Sequence, residues 1–165
     1  MTQIKFKDST INTIGSLPVV GSKAPDFTLT GVGLNDVSLA DYAGKKVILN
    51  IFLSLDTGTC AASVNKFNQI ASDKGVTVLC ISKDLPFASK RFCAAEGIEN
   101  IVIASDFKNN NFGETYGTLM AEGPLEGLHS RCIVVINEEG NVVHTEQLSE
   151  TTSVEPDYDK ALAAL

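Results

Sequence analysis

The chain lacks any run of about 18 apolar residues, so no segment reads as a membrane-spanning helix. Its first residues, Met1-Thr2-Gln3-Ile4-Lys5-Phe6-Lys7-Asp8, lack the basic-then-apolar layout of a signal peptide, which makes the cytoplasm the expected location. Basic clusters are missing too: no more than two Lys/Arg are adjacent, and the net charge is −7 with a pI near 4.7. Such a chain is a poor partner for nucleic acid or an acidic membrane surface. The four cysteines, at 60, 80, 93 and 132, include no CxxC pair, and His129 and His144 offer no close ligand pair. Neither a structural zinc site nor a static disulfide framework is therefore expected. There is no repeat, low-complexity tract or linker, so residues 1–165 read as a single domain of a size that can bury a proper core.

What is present is a regular alternation of strand and helix signals. Residues 1–14 read as a hairpin, with Ile4 and Phe6 on one strand and Ile11 and Ile14 on the other. Pro25 to Leu29 reads as an edge strand, and Ser38 to Tyr42 as a capped turn ended by Gly44. Val47 to Phe52 and Val76 to Ile81 are near-continuous apolar runs of strand length, the pattern of strands buried on both faces. Between them Cys60, Val64, Phe67 and Ala71 recur at helical spacing. A second helix is expected from Asp84, as cap, and Pro86 in its first turn, to Gly97. A third strand at Ile101 to Ile103, a hairpin from Arg131 to His144 turning at Gly140-Asn141, and a helix from Pro156 to Leu165 complete the chain. This order predicts parallel strands joined by helices with an antiparallel pair added late. The fold class is α/β: a thioredoxin-like fold, a mixed central sheet flanked by helices, with an N-terminal β-hairpin extension.

Cys60 follows a buried strand and opens a helix. A thiol there meets orphan backbone N–H groups and the positive end of the helix dipole, which favour the thiolate nucleophile. Thr57 stands where a thioredoxin-like helix would carry the first cysteine of CxxC. Its hydroxyl either caps the helix or donates to the thiolate or a bound peroxide oxygen, and the two roles are compatible. Arg131 begins an otherwise apolar strand, which calls for an anionic partner: the Cys60 thiolate and the oxygen it attacks, or a carboxylate at the strand end. Cys93, 33 positions after Cys60, is the candidate thiol to condense with a sulfenic acid, the alternative being a small buried hydrophobe. Cys80 reads as a core residue. Cys132 alternates with Arg131 and should face away from the site, whereas His129, two before Arg131, is placed on its face. The Asn109-Asn110-Asn111 run reads as a loop and His144 as exposed.

Ser54-Leu55-Asp56-Thr57-Gly58-Thr59-Cys60-Ala61-Ala62-Ser63-Val64, Cys80-Ile81-Ser82-Lys83-Asp84-Leu85-Pro86 and Arg91-Phe92-Cys93 resemble the bacterial thiol peroxidases of the Tpx type, which are atypical two-cysteine peroxiredoxins. The likeness spans nearly the whole chain, and the segment around Cys93 is specific to that subfamily. The resemblance implies Cys60 as the peroxidatic thiolate, Thr57 and Arg131 as its activators, and Cys93 as the resolving cysteine of the same chain. It also implies a hydroperoxide substrate, a thioredoxin-type reductant, a homodimer and no bound cofactor. The chain departs from the peroxiredoxin motif Pro-x-x-x-Thr/Ser-x-x-Cys at Leu53, which stands in the proline position. Leucine keeps an apolar group there but loses proline's fixed φ and missing N–H. A disulfide needs Cα atoms within about 7 Å, so a Cys60 held in its helix implies local unwinding during the cycle. Two rivals remain from the residues alone: a thiol–disulfide oxidoreductase, which the missing CxxC disfavours, and a peroxide-responsive redox sensor that oxidises once without turning over.

Overall fold

A computed structural model describes all residues, 1–165. Strands β1 (Gln3–Phe6) and β2 (Ser9–Asn12) form the expected hairpin, with Ile4 opposite Ile11 and both buried. Ile14 lies past the end of β2 and is exposed, its N–H turned away from the hairpin to donate to the Leu119 carbonyl. Strands β3 (Thr28–Gly31) and β4 (Asp36–Ser38) follow, then a 3-10 turn over Leu39–Tyr42 capped by Ser38. The segment from Pro25 was expected at the sheet edge. It is displaced inward because the three-residue β4, too short to show a period, takes the edge.

The central elements come next: β5 (Val47–Ile51), α1 (Gly58–Lys74), β6 (Thr77–Ser82), α2 (Pro86–Glu96) and β7 (Val102–Ser105). After them run α3 (Asn111–Thr115), β8 (Cys132–Ile136), β9 (Val142–Gln147) and α4 (Tyr158–Ala163). The sheet order is β4-β3-β7-β6-β5-β8-β9, with β5, β6 and β7 parallel, β8 antiparallel to β5, and β9 antiparallel to β8. Both long helices stop where a residue enters the left-handed region at no steric cost: Gly75 (φ 66°) and Gly97 (φ 67°).

Alternation along the strands sorts the core into two layers. Ile48, Phe52, Val78, Cys80, Ile103, Ile133 and Val135 meet Cys60, Val64 and Phe67 of α1 and Ala161 of α4 on one face. Leu49, Ile51, Leu79, Ile81, Cys132 and Val134 meet Phe112 and Tyr116 on the other. Cys132 thus faces away from Cys60, as its alternation predicted.

Asp106, just after β7, is the hub of a buried polar cluster. Its carboxylate lies 3.2 Å from Lys83 Nζ and 3.5 Å from His129 Nε2, and accepts from the Gly113 N–H. His129 Nδ1 lies 2.8 Å from the Thr118 hydroxyl. Burial first, then the Lys83 ammonium, push His129 down to about 3. The imidazole is therefore neutral in the fold, whereas an unfolded histidine titrates near 6.5. The unfolded chain then binds a proton that the fold refuses, so the contribution is fully present above pH 6.5 and is lost as pH falls toward 3. Asp106, raised by burial, acts in the opposite sense only at the acid end. Between pH 6.5 and 5, stability should fall by about 1.4 kcal/mol per unit. We expect Tm at pH 5 to lie roughly 4–8 °C below that at pH 7. A flat calorimetric profile over that window would remove His129 as the cause.

Candidate active site

The site is built where β5 ends, α1 begins and β8 starts. Thr57 is the N-cap of α1 and Cys60 its third residue. The N–H groups of Gly58, Thr59 and Cys60 find no backbone acceptor, as geometry dictates for a first turn, so they are free to face an anion near the sulfur. Cys60 is 1% exposed, which limits access in this conformation to a small substrate. All four cysteines are free thiols.

Thr57 sits at the cap position, but its hydroxyl does not cap. It donates to the Ser54 carbonyl at 3.0 Å. With its single proton given to Ser54 O, Thr57 Oγ1 presents lone pairs rather than a donor, so in this conformation it makes neither the capping bond nor the donation that its position suggested.

Arg131 precedes β8, one step beyond the Ile51–Cys132 pair, and so lies beside Phe52 at the start of the Cys60 loop. Its side chain is 2% exposed. The expected alternative of a carboxylate partner is absent: no Asp or Glu oxygen lies within 4.0 Å, and the guanidinium donates to the Val154 carbonyl. The same loop accepts the Thr59 hydroxyl at Thr152 O, 2.9 Å, so residues 150–154 tie Arg131 to the first turn of α1. Glu150 folds that loop. Burial alone would raise its carboxyl, but bonds from Ser153 and Thr152 pull it down to about 2. The N-terminal hairpin braces the loop from below, with Lys5 N–H on Ser149 O and Thr151 N–H on Lys5 O.

Asp84 was expected to cap α2. The cap is Leu85, and Asp84 turns the other way. Its carboxylate accepts from Ser54 Oγ (2.8 Å), the Leu55 N–H (2.8 Å) and Ser82 Oγ (2.7 Å), and so clamps the loop that leads to Cys60. An Asp before a proline is what a cap looks like, and only the pairing of β5 with β6 brings Ser54 and Leu55 to it. His129 does not share the face of Arg131. It is wholly buried against Phe112 on the opposite layer, because β8 begins only at Cys132 and strand alternation does not extend back to it. Asn110 holds the N-cap position of α3, with its side-chain oxygen accepting from Lys83, and Asn111 opens the helix, so only the start of the Asn run is loop. His144 is half-buried with Nε2 unpartnered, not exposed.

Cys93 is half-buried on α2 and packs against the layer that holds Cys60. Burial raises its pKa, and Cys80, pushed up to about 12 by burial, lies near enough to feel its charge. Leu53 is buried in that same layer, and its N–H donates to no acceptor. The proline-to-leucine departure therefore adds an unbonded donor and removes only the fixed φ. Leu53→Pro is expected to lower Tm less than Leu53→Ala, whose lost packing costs about 2–5 kcal/mol, because proline keeps apolar volume and restrains the unfolded chain. A proline variant less stable than the alanine variant would mean that the loop cannot take proline's φ.

A lone buried thiol at a helix N-terminus, on a thioredoxin-like sheet with an unpaired guanidinium tied to the same turn, defines a thiol-based redox protein. Comparison with known proteins agrees: residues 19–162 match the Redoxin family. The thiol peroxidases of Mycobacterium tuberculosis and Mycobacterium bovis are each 54% identical over 165 residues, covering 100% of this chain and 99% of theirs. Among solved structures, a peroxiredoxin-like protein from Aquifex aeolicus superposes with a TM-score of 0.91 at 33% identity, over 100% of this chain and 98% of that one. A thiol peroxidase from Chromobacterium violaceum gives 0.90 at 22% identity, over 99% and 95%, which supports the fold. The chain belongs to the bacterial thiol peroxidases of the Redoxin family, and its activity is that of a thiol-dependent peroxidase. Of the three activities that the residues left open, this is the one retained.

Proposed function

We propose that Cys60 is the peroxidatic residue and Cys93 the resolving one, within a single thioredoxin-like peroxiredoxin domain spanning residues 1–165. The reading is carried by Arg131, a buried cation without a carboxylate, tied through residues 150–154 to the first turn of α1. The Cys60 thiolate attacks the nearer oxygen of hydrogen peroxide or an organic hydroperoxide. The S–O bond forms, the O–O bond breaks, and sulfur supplies both electrons, so no metal or prosthetic group is needed. Arg131 and the free N–H groups of the first turn stabilise the charge on the departing oxygen, which leaves as water or an alcohol once protonated. Thr57, its own proton held by Ser54 O, accepts the peroxide O–H and orients it.

The Cys60 sulfenic acid then condenses with the Cys93 thiol, releasing water and forming a disulfide. A thioredoxin-type dithiol reduces that disulfide by exchange. Unwinding at α1 or α2 brings the sulfurs together, and it also relieves the burial that keeps Cys93 protonated. We place the reaction in the cytoplasm, where such a reductant works. For the proposed homodimer, Leu85, Phe87, Phe107 and Val154 offer exposed apolar side chains near the site end of the sheet. The test is peroxide-dependent NADPH loss through thioredoxin and its reductase. Sustained turnover supports the scheme, whereas a single stoichiometric oxidation overturns the Cys93 and thioredoxin steps.

A further inference from the structure

β5 is buried at all five positions, yet one of them is Asn50. Its neighbours Ile48 and Phe52 point into the layer under α1, and alternation places the Asn50 amide there too. Asn50 Nδ2 lies 3.3 Å from Ser63 Oγ and 3.5 Å from Cys80 Sγ. Ser63, wholly buried one turn after Cys60, donates its hydroxyl to the Cys60 carbonyl at 2.9 Å. The donors therefore run one way, from the Asn50 amide to the Ser63 hydroxyl to the backbone of Cys60. A relay of this kind polarises each bond in turn, and in an apolar layer no water stands ready to replace a lost partner. The side chains around the pair are otherwise apolar, so two buried polar groups there call for a reason.

We propose that Asn50 and Ser63 are positioning residues that set how readily the first turn of α1 unwinds, and hence how long the Cys60 sulfenic acid survives before Cys93 reaches it. The inference rests on the peroxidatic and resolving roles given above. The physical step is the asymmetry of buried hydrogen bonds. If the backbone at Cys60 leaves the helix while Ser63 stays, the Ser63 hydroxyl loses its acceptor inside the core, and a stranded buried polar group is costly. Removing that hydroxyl removes the cost from the unwound state. Ser63→Ala should therefore ease unwinding, and Asn50→Leu should do so less, because Ser63 keeps its bond to the Cys60 carbonyl.

The experiment is stopped-flow oxidation of reduced protein by hydrogen peroxide, with quenched samples scored by mass for sulfenic, disulfide and sulfinic forms. Ser63→Ala should form the Cys60–Cys93 disulfide about three- to tenfold faster than wild type, the factor that one net hydrogen bond represents. It should also yield correspondingly less sulfinic acid at high peroxide. Ser63→Thr, which keeps the hydroxyl, should restore the wild-type rate. Hydrogen exchange should quicken at residues 58–63 and stay unchanged in β5 and β6, which general destabilisation would not produce. The double variant should exceed Ser63→Ala by less than the Asn50→Leu effect alone. A wild-type disulfide rate in Ser63→Ala, or faster exchange throughout the sheet, overturns the proposal. A wild-type protein that forms sulfenic acid but no Cys60–Cys93 disulfide overturns instead the resolving role on which it rests.

Discussion

Arg131→Met is expected to lower kcat/KM for peroxide by about 10²–10³-fold, the usual loss when one charge-stabilising donor is removed, without lowering the melting temperature. The two halves of this expectation have one cause. A guanidinium that is 2% exposed, with no carboxylate within 4.0 Å and one backbone carbonyl as acceptor, is desolvated without a full return. Uncompensated burial of an ion costs several kcal/mol, and apolar replacement of buried charge is often neutral or stabilising. Methionine matches the length of the stem and suits the apolar layer formed by Phe52, Ile133 and Cys60. The Val154 carbonyl, on a half-exposed residue, can turn to water once released. Differential scanning calorimetry and peroxide kinetics on one preparation decide the matter. A Tm unchanged or raised, at about 2–4 °C per kcal/mol for a chain of this size, together with the lost activity, assigns the charge to the reacting oxygen. A Tm lowered by several degrees with activity intact would make Arg131 a strut for the 150–154 loop and leave the oxyanion to the first turn of α1.

The place of Cys60 and Thr57 at the first turn of α1 was legible because everything that fixes it is local: an apolar strand, a short loop and a helical period within one segment. The unusual setting of Arg131 was legible from chemistry, since a charge at the head of an apolar strand demands a reason. What escaped the sequence depends on contacts across the sheet. Asp84 has the look of a helix cap, and its partners Ser54 and Leu55 lie about 30 residues earlier on a neighbouring strand end. The relay through Asn50 was hidden because one amide barely dents an apolar run, and its acceptor on α1 is fixed only when helix and strand pack. The face of His129 does not follow from the period of β8, because the strand begins only at Cys132 and alternation does not reach back to it. The short elements β4 and α3, of three and five residues, fall below the length at which either period can be counted.

Cys60→Ser is expected to abolish turnover entirely, whereas Cys93→Ser should complete one oxidation and then stall. The serine hydroxyl at position 60 stays protonated near neutral pH, and its oxygen, unlike sulfur, cannot be oxidised at the expense of an O–O bond, so the loss is of the reaction itself and not of its rate. Cys93→Ser leaves the Cys60 environment intact, because Cys93 belongs to α2 and only borders the layer that buries Cys60. Its sulfenic acid should therefore form at the wild-type rate, be trapped by a carbon acid such as dimedone, and climb to sulfinic acid as peroxide is raised. Cys80 is the thiol most able to take over, since it shares the buried layer with Cys60. It is held against that by burial, which pushes its pKa up to about 12, and by its place inside β6, which cannot unwind without breaking the centre of the sheet. Cys132, equally raised, faces the other layer. Intact-mass analysis after one equivalent of peroxide separates the outcomes. A sulfenic or sulfinic adduct confined to Cys60 in Cys93→Ser fixes the roles, while a Cys60–Cys80 disulfide with continued turnover would assign resolution to the sheet and require an opening of β6 that the present fold resists.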